Sequence, residues 1–175
     1  MFGAGQVCSL YDALIDSPVV PDTERALLRA RMANLAYAMA DPSTWSAERG
    51  YCSGNANMTV NFVLGLGLFA CTIPEHPMAR AWYRNAERMM EQFLGTMVGP
   101  AGEWPEALGH HGMISIAAVL SFAVASTRAG FHDYINDPRM KRLMLYQAKL
   151  HTPRDPRPRG ISHIPAELQS DRRYI

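Results

Sequence analysis

Two polar, glycine-rich loops carry the side chains best suited to chemistry. The first holds Asn55 and Asn57, and the second holds Glu106 followed by His110 and His111. Each loop runs into a stretch with almost no charge, which indicates that it precedes a buried helix. A helix N-terminus with amides can bind an anion, and histidine exchanges protons near neutral pH. Because the loops lie about one helical hairpin apart, we expect them to open at the same end of a helical array and to share one site.

Structural roles for the same side chains remain as alternatives. Asn55 and Asn57 would also make good helix caps. The pair His110 and His111 could instead bond loop carbonyl groups, and Glu106 could cap the following turn. The sequence therefore leaves open whether these loops are catalytic or structural.

The sequence lacks the ligand spacing of a metal site. The candidate ligands are His110, His111, His132 and Glu106, and they form no HxxxH or HxxE helical pattern. The three cysteines form no CxxC motif and have no spacing to histidine that is typical of a metal site. We therefore predict no metal and no cofactor.

Composition limits the classes of protein to consider. The chain has 175 residues, of which 48% are hydrophobic and 19% charged, so it is long and apolar enough for one domain with a core. Its formal net charge of +1 argues against recruitment of nucleic acid or anionic lipid by a global field. No apolar stretch is long enough to span a membrane, and the N-terminus has no signal-peptide pattern. These features leave the cellular location undetermined.

Helical periodicity predicts five helices that alternate between two kinds. Amphipathic helices, which would form an outer layer, alternate with two almost charge-free helices, which would be surrounded by neighbours. The five segments are 22–39, 57–71, 75–97, 112–129 and 138–150, with Asp22 or Thr23 as the cap of the first.

This alternation predicts an all-α fold, an antiparallel two-layer helical array that forms part of an (α/α) toroid. An irregular helical bundle is the alternative. We expect residues 1–150 to form the helical domain and the proline- and arginine-rich residues 151–175 to form an extended C-terminal segment. The side chains expected to be buried are Val60, Phe62, Leu64, Leu66, Phe69, Ile114, Ile116, Val119, Leu120 and Phe122.

Three segments carry a resemblance to a known family. GNANMTVNFVLGLGLFAC, GEWPEALGHHGMISIAAVL and DPRPRGISHIPAELQ occur in this order. Together they resemble the later part of the α/α-toroid domain of heparinase II/III-like and alginate-lyase-like polysaccharide lyases, over roughly residues 50–169. Such enzymes have a longer toroid followed by β-sandwich sheets, so the chain resembles a piece of one. Full-length members would suggest a periplasmic or secreted protein.

The resemblance implies β-elimination on a uronate-containing acidic polysaccharide. An Asn would neutralise the uronate carboxylate, and a Tyr or His would remove the proton beside it; here Asn57 and either His110 or His111 match those positions. The family often has Glu-Gly followed by Tyr, whereas this chain has Glu106-Ala107 followed by the two histidines. Residues expected to bind substrate are Asn55, Trp104, Glu106, Arg154, Arg157 and Arg159.

Other functions remain open on the same scaffold. A helical glycoside hydrolase would need two well-separated carboxylates, whereas Glu103 and Glu106 are close in sequence. A non-catalytic module that binds carbohydrate or protein is the other alternative. Trp104 could fill the core rather than stack on a sugar, and the tail arginines could be solvated. Five helices cannot close a ring, so we also expect self-association through an open helical edge.

Overall fold

The fold is all-helical, as the sequence predicts. The computed structural model describes residues 3–43, 56–104 and 112–150, and these contain no β-strand. The helices are α1 (Ala4–Ile15), α2 (Asp22–Ala40), α3 (Ala56–Thr72), α4 (Ala79–Gln92), α5 (Met113–Arg128) and α6 (Pro138–Leu150). One π-helical turn, Phe93–Met97, continues α4.

Helix α3 is the centre of the molecule. It packs against α1, α2, α4 and α5, and its uncharged sequence lets it turn an apolar surface toward all of them. Gly67 allows the closest approach, because a Cβ at this position would lie 2.5 Å from Ala86 Cβ of α4 and 2.8 Å from Phe122 Cδ2 of α5. A larger residue at Gly67 would force the three helices apart.

Helices α3 and α5 run in the same direction. A short turn joins α3 to α4, and the two pack together as an antiparallel hairpin. Ala86 and Phe122 meet at Gly67, whereas Tyr83 bonds to Ser126. Between the first contact and the second, the residue number in α4 falls from 86 to 83, whereas the residue number in α5 rises from 122 to 126. Helix α5 is therefore antiparallel to α4 and parallel to α3. Helices α3 and α5 therefore begin at the same end of the described helical array.

The five predicted helices are all present, with ends that differ by a few residues. The ten side chains predicted to be core are buried except Ile114 and Leu120, which are half-buried. The reason is that α5 is covered on one side by α3 but leaves Met113, Ala117 and Ser121 exposed on the other. Helix α5 is thus less enclosed than α3.

Three sequence predictions need correction. Helix α1 was not among the five, yet it packs on α3 through Cys8, Tyr11 and Ile15. Helix α2 is preceded by Pro21 at the N-cap position, so Asp22 lies in the first turn and neither Asp22 nor Thr23 is the cap. The helix predicted from residue 75 begins only at Ala79, because residues 73–78 form turns.

Among the described helices, none has both the length and the apolar composition needed to cross a membrane.

Candidate functional site

Two of the predicted site residues, Asn57 and Trp104, lie in the described part of the chain. The others are outside the described residues, so their mutual geometry stays a prediction: Asn55, Glu106, His110, His111, Arg154, Arg157 and Arg159.

Asn57 lies in the first turn of α3 and is only 4% exposed. Its main-chain carbonyl accepts a hydrogen bond from Asn61 Nδ2 at 2.8 Å, one turn further along the helix. The N-terminus of an α-helix carries partial positive charge, so the surroundings of Asn57 favour an anion. Asn61 thereby has the structural role of a satisfied polar side chain inside an apolar helix.

Trp104 is packed into the core next to the π-helical turn. It is 5% exposed, and its indole stacks on Phe93 with 5.2 Å between ring centroids and 12° between planes. The loop before it is held by Gly102, whose φ of 94° suits glycine and whose missing Cβ admits the main chain of Arg142. This arrangement matches the alternative in which Trp104 fills the core, and the indole offers little free face for sugar stacking.

The described starts of α3 and α5 lie at the same end of the helical array. Residues 44–55 precede α3 and residues 105–111 precede α5 in the chain, and the two helices start at the same end. Gly102 packs against Arg142 and Leu143, which places α6 beside the 99–104 loop.

A charged cluster that the sequence did not predict joins α4 to α6. Arg139 donates to both carboxylate oxygens of Glu91, at 2.9 and 3.2 Å, and to Asp137 Oδ2 at 2.6 Å. The hydrogen bonds from Arg139 hold the pKa of Asp137 below its usual value. Asp137 also accepts the Arg139 main-chain N–H at 2.7 Å, which makes it the N-cap of α6. The signal that could have revealed this cap is Asp137 followed by Pro138, a typical helix start.

Three side chains of this region have potential metal-ligating atoms close to one another. Side-chain donors of Glu91, His132 and Asp137 lie within 4.8 Å of one another. However, the Arg139 guanidinium already contacts both carboxylates, and a cation there would meet this positive charge. We interpret the cluster as an ion-pair network that fastens α6 to α4.

A buried hydroxyl pair joins α4 to α5. Tyr83 Oη and Ser126 Oγ are 2.6 Å apart, and Ser126 Oγ also bonds to the His132 carbonyl at 2.9 Å. Phe131 stacks on the Tyr83 ring with 4.2 Å between centroids. Burial raises the pKa of Tyr83 to about 12, so the phenol stays protonated at physiological pH. Its role is structural.

An open groove of about 1420 Å³ lies between α1 and α5, with α3 as its floor. Small residues dominate the lining, including Ala4, Gly5, Gly65, Ala117, Ala118, Ser121, Ala125 and Ala129. Among the described residues, Asp12 and Arg128 are the charged ones that line it. The groove is largely apolar.

No protein-family model, curated protein or solved structure matches the chain.

Proposed function

We propose that this chain is the helical part of a polysaccharide lyase that cleaves a uronate-containing acidic polysaccharide by β-elimination. The observation that supports the proposal is the parallel direction of α3 and α5, because loops that precede two helices starting at the same end would lie near each other. Helix α3, which has Asn57 in its first turn, offers a second argument, because its N-terminus favours a bound carboxylate.

The proposed chemistry divides between the two loops. Asn57 donates its amide N–H groups to the uronate carboxylate, which stabilises the charge that builds there when the C5 proton leaves. His110 or His111 takes that proton as the base. The electron pair of the C5–H bond then forms the C4–C5 double bond, the C4–O bond to the leaving sugar breaks, and the leaving oxygen takes a proton from water. Arg154, Arg157 and Arg159 bind further carboxylates or sulfates of the polymer.

The first test uses charge at Asn57. Purified chain is mixed with alginate and with heparin-like glycans, and binding and the ultraviolet absorbance of the unsaturated product are measured. Asn57→Asp places a negative charge beside the substrate carboxylate, so affinity should fall by at least about tenfold. The helix N-terminus favours a carboxylate, but Asn57 is only 4% exposed and a buried charge costs folding free energy, so circular dichroism must show that the variant is folded before its binding is compared.

The matched control is Asn34→Asp, which adds the same charge to the exposed side of α2. It should bind as the unaltered chain does, and Asn57→Ser serves where Asn57→Asp fails to fold. His111→Ala should abolish any product while binding remains. Binding without product in the unaltered chain favours the non-catalytic module, and absence of binding to every uronate polymer contradicts the proposal.

A further inference from the structure

Two cysteine thiols lie on neighbouring helices beside the same groove. Cys8 belongs to α1 and Cys71 to α3, and both line the groove between α1 and α5. Cys8 is buried, Cys71 is half-buried, and both are free thiols. The chemistry proposed above uses neither of them. Two thiols on packed helices can form a disulfide where the main chains approach closely, so the packing of α1 on α3 decides what this pair can do.

Helix α1 runs in the same direction as α3 and packs closely on it. Near the start of α1, Ala4 Cβ lies 3.0 Å from the position that a Cβ would take at Gly65. One turn later, the Cys8 thiol hydrogen-bonds to the Thr72 side chain. Thr72 Oγ1 donates its own proton to the Leu68 carbonyl at 2.8 Å, so it accepts the hydrogen bond from the Cys8 S–H. The residue numbers of the partners rise along both helices, which makes the helices parallel.

Cys8 faces Cys71 in this register. A side chain between two parallel helices sits among four residues of the facing helix, at positions i, i+3, i+4 and i+7, and Leu68, Cys71 and Thr72 are the first three of such a set. A Cβ at Gly5, three residues before Cys8, would lie 3.9 Å from Leu68 Cδ1, and Cys71 is three residues after Leu68. Burial and the neighbouring Cys8 thiol raise the pKa of Cys71 to about 12, as expected of two thiols that lie close together.

We propose that Cys8 and Cys71 form a disulfide under oxidising conditions, and that this bond fastens α1 to the central helix α3. The oxidant is a small disulfide, here oxidised glutathione. One cysteine thiolate attacks it and releases one glutathione thiolate, and the second cysteine thiolate then attacks the protein sulfur of this mixed disulfide and releases the other. The two cysteine protons pass to the two released thiolates. Two protein thiols are thereby oxidised, and one glutathione disulfide is reduced to two thiols.

The bond forms while the chain folds rather than in the finished fold. Burial raises the pKa of both Cys8 and Cys71 in the folded protein, so few thiolates exist there near neutral pH. In the unfolded chain the pKa of cysteine is about 8.5, and the attack on glutathione is correspondingly faster. The finished disulfide carries no charge and suits the apolar wall of the groove. It also closes a long loop, which removes conformational freedom from the unfolded chain.

Refolding in a glutathione redox buffer tests the pairing. The full chain is refolded with oxidised and reduced glutathione, the remaining thiols are blocked, and the product is cleaved at methionine without reduction. Cleavage at Met58 separates Cys52 from Cys71. Mass spectrometry should then find the fragment 2–32 joined to the fragment 59–78. The urea midpoint of the oxidised chain should exceed that of the reduced chain by at least about 1 M, because the disulfide restricts the unfolded chain.

Cys52→Ser is the matched control, because it removes a thiol outside the proposed pair and should keep both the link and the gain in midpoint. Cys8→Ser retains a hydroxyl donor for Thr72 but cannot form the link, so its midpoint should be the same under oxidising and reducing conditions. Absence of a link between 2–32 and 59–78, a link through Cys52 in its place, or a gain in midpoint that survives Cys8→Ser would each overturn the proposal. The link is read in the unaltered chain, so it depends neither on the folding of a variant nor on activity toward polysaccharide.

Discussion

Gly67 is the residue at which one added methyl group should do most harm. Its Cβ would contact Ala86 and Phe122, and neither can move without shifting α4 or α5. We expect Gly67→Ala to lower the free energy of unfolding by about 1–3 kcal/mol, the usual cost of overpacking a core. Urea denaturation followed by circular dichroism measures the change.

Gly95→Ala is the control for that substitution. Within the described residues, no other segment comes within 4 Å of a Cβ at Gly95, so alanine should raise stability by about 0.4–1 kcal/mol by restricting the unfolded chain. Equal effects of the two variants would show that α3 is not closely packed at Gly67.

Asp137 should make stability depend on pH in the acid range. It caps α6 and bonds to Arg139, so Asp137→Ala should cost about 1 kcal/mol at neutral pH. The folded state holds the pKa of Asp137 below the unfolded value of about 4. The unfolded chain therefore binds the proton more readily, and the ionised carboxylate stabilises the fold fully above about pH 4.

As the pH falls below that value toward the lowered folded pKa, this contribution is lost, and the unaltered chain and Asp137→Ala should converge in stability. Urea unfolding at a series of pH values measures the difference. Asp22→Ala is the control, because the Asp22 side chain is 98% exposed and its contact with Arg25 is 3.7 Å long. A constant difference across the acid range would show that the charge of Asp137 contributes nothing.

At the scale of elements, the periodicity of apolar residues predicted those helices whose sequence shows one clear apolar pattern. The segments around α3 and α5 are free of charge for several turns, and the helix from Pro138 starts with a clear signal. Helix α1 escaped prediction because its apolar residues divide between an inner and an outer face and two glycines lie at its start. Leu27 and Leu35 of α2 are exposed. Their exposure depends on how α2 packs against the other helices, which the sequence pattern does not show.

The candidate site was predictable only in part. Asn57 at a helix start follows from local sequence, as does the loop that holds Trp104. Trp104 is buried because its ring stacks on Phe93. The sequence alone left open whether Trp104 fills the core or stacks on a sugar. The Arg139–Glu91 pair joins residues 48 positions apart, which no local pattern connects. Long-range contacts of this kind require the fold to be known.

The link between α4 and α5 should depend on Ser126. Its hydroxyl bonds Tyr83 and the His132 carbonyl, and all three groups belong to different segments. Ser126→Ala leaves a buried phenol without its partner and should cost about 1–3 kcal/mol. Tyr83→Phe combined with Ser126→Ala should cost less than the sum of the single changes, because the pair is then removed together.

Thr96→Ala is the control for this contact, since Thr96 is exposed and bonds to the carbonyl of Gln92 within its own turn. Thermal unfolding of the four variants measures the coupling. Strict additivity of Tyr83→Phe and Ser126→Ala would contradict a bond that joins the two helices.

At the scale of the whole molecule, the central position of α3 should set the order of local unfolding. Four helices cover α3, whereas within the described residues α6 has its main helical contact with the π-helical turn. Amide hydrogens exchange slowly where opening requires the loss of many buried contacts. We therefore expect the amides of residues 60–70 to exchange last and with the free energy of global unfolding.

Hydrogen exchange followed by mass spectrometry measures this order. The amides of α6 should exchange earlier, and Arg139→Gln should accelerate them further by removing the attachment to Glu91 while leaving α3 unchanged. That variant separates local opening of α6 from loss of the whole fold, because only global unfolding exposes α3. Exchange of α3 as fast as that of α6 would mean that the helices open as one unit, and that the central helix confers no separate stability.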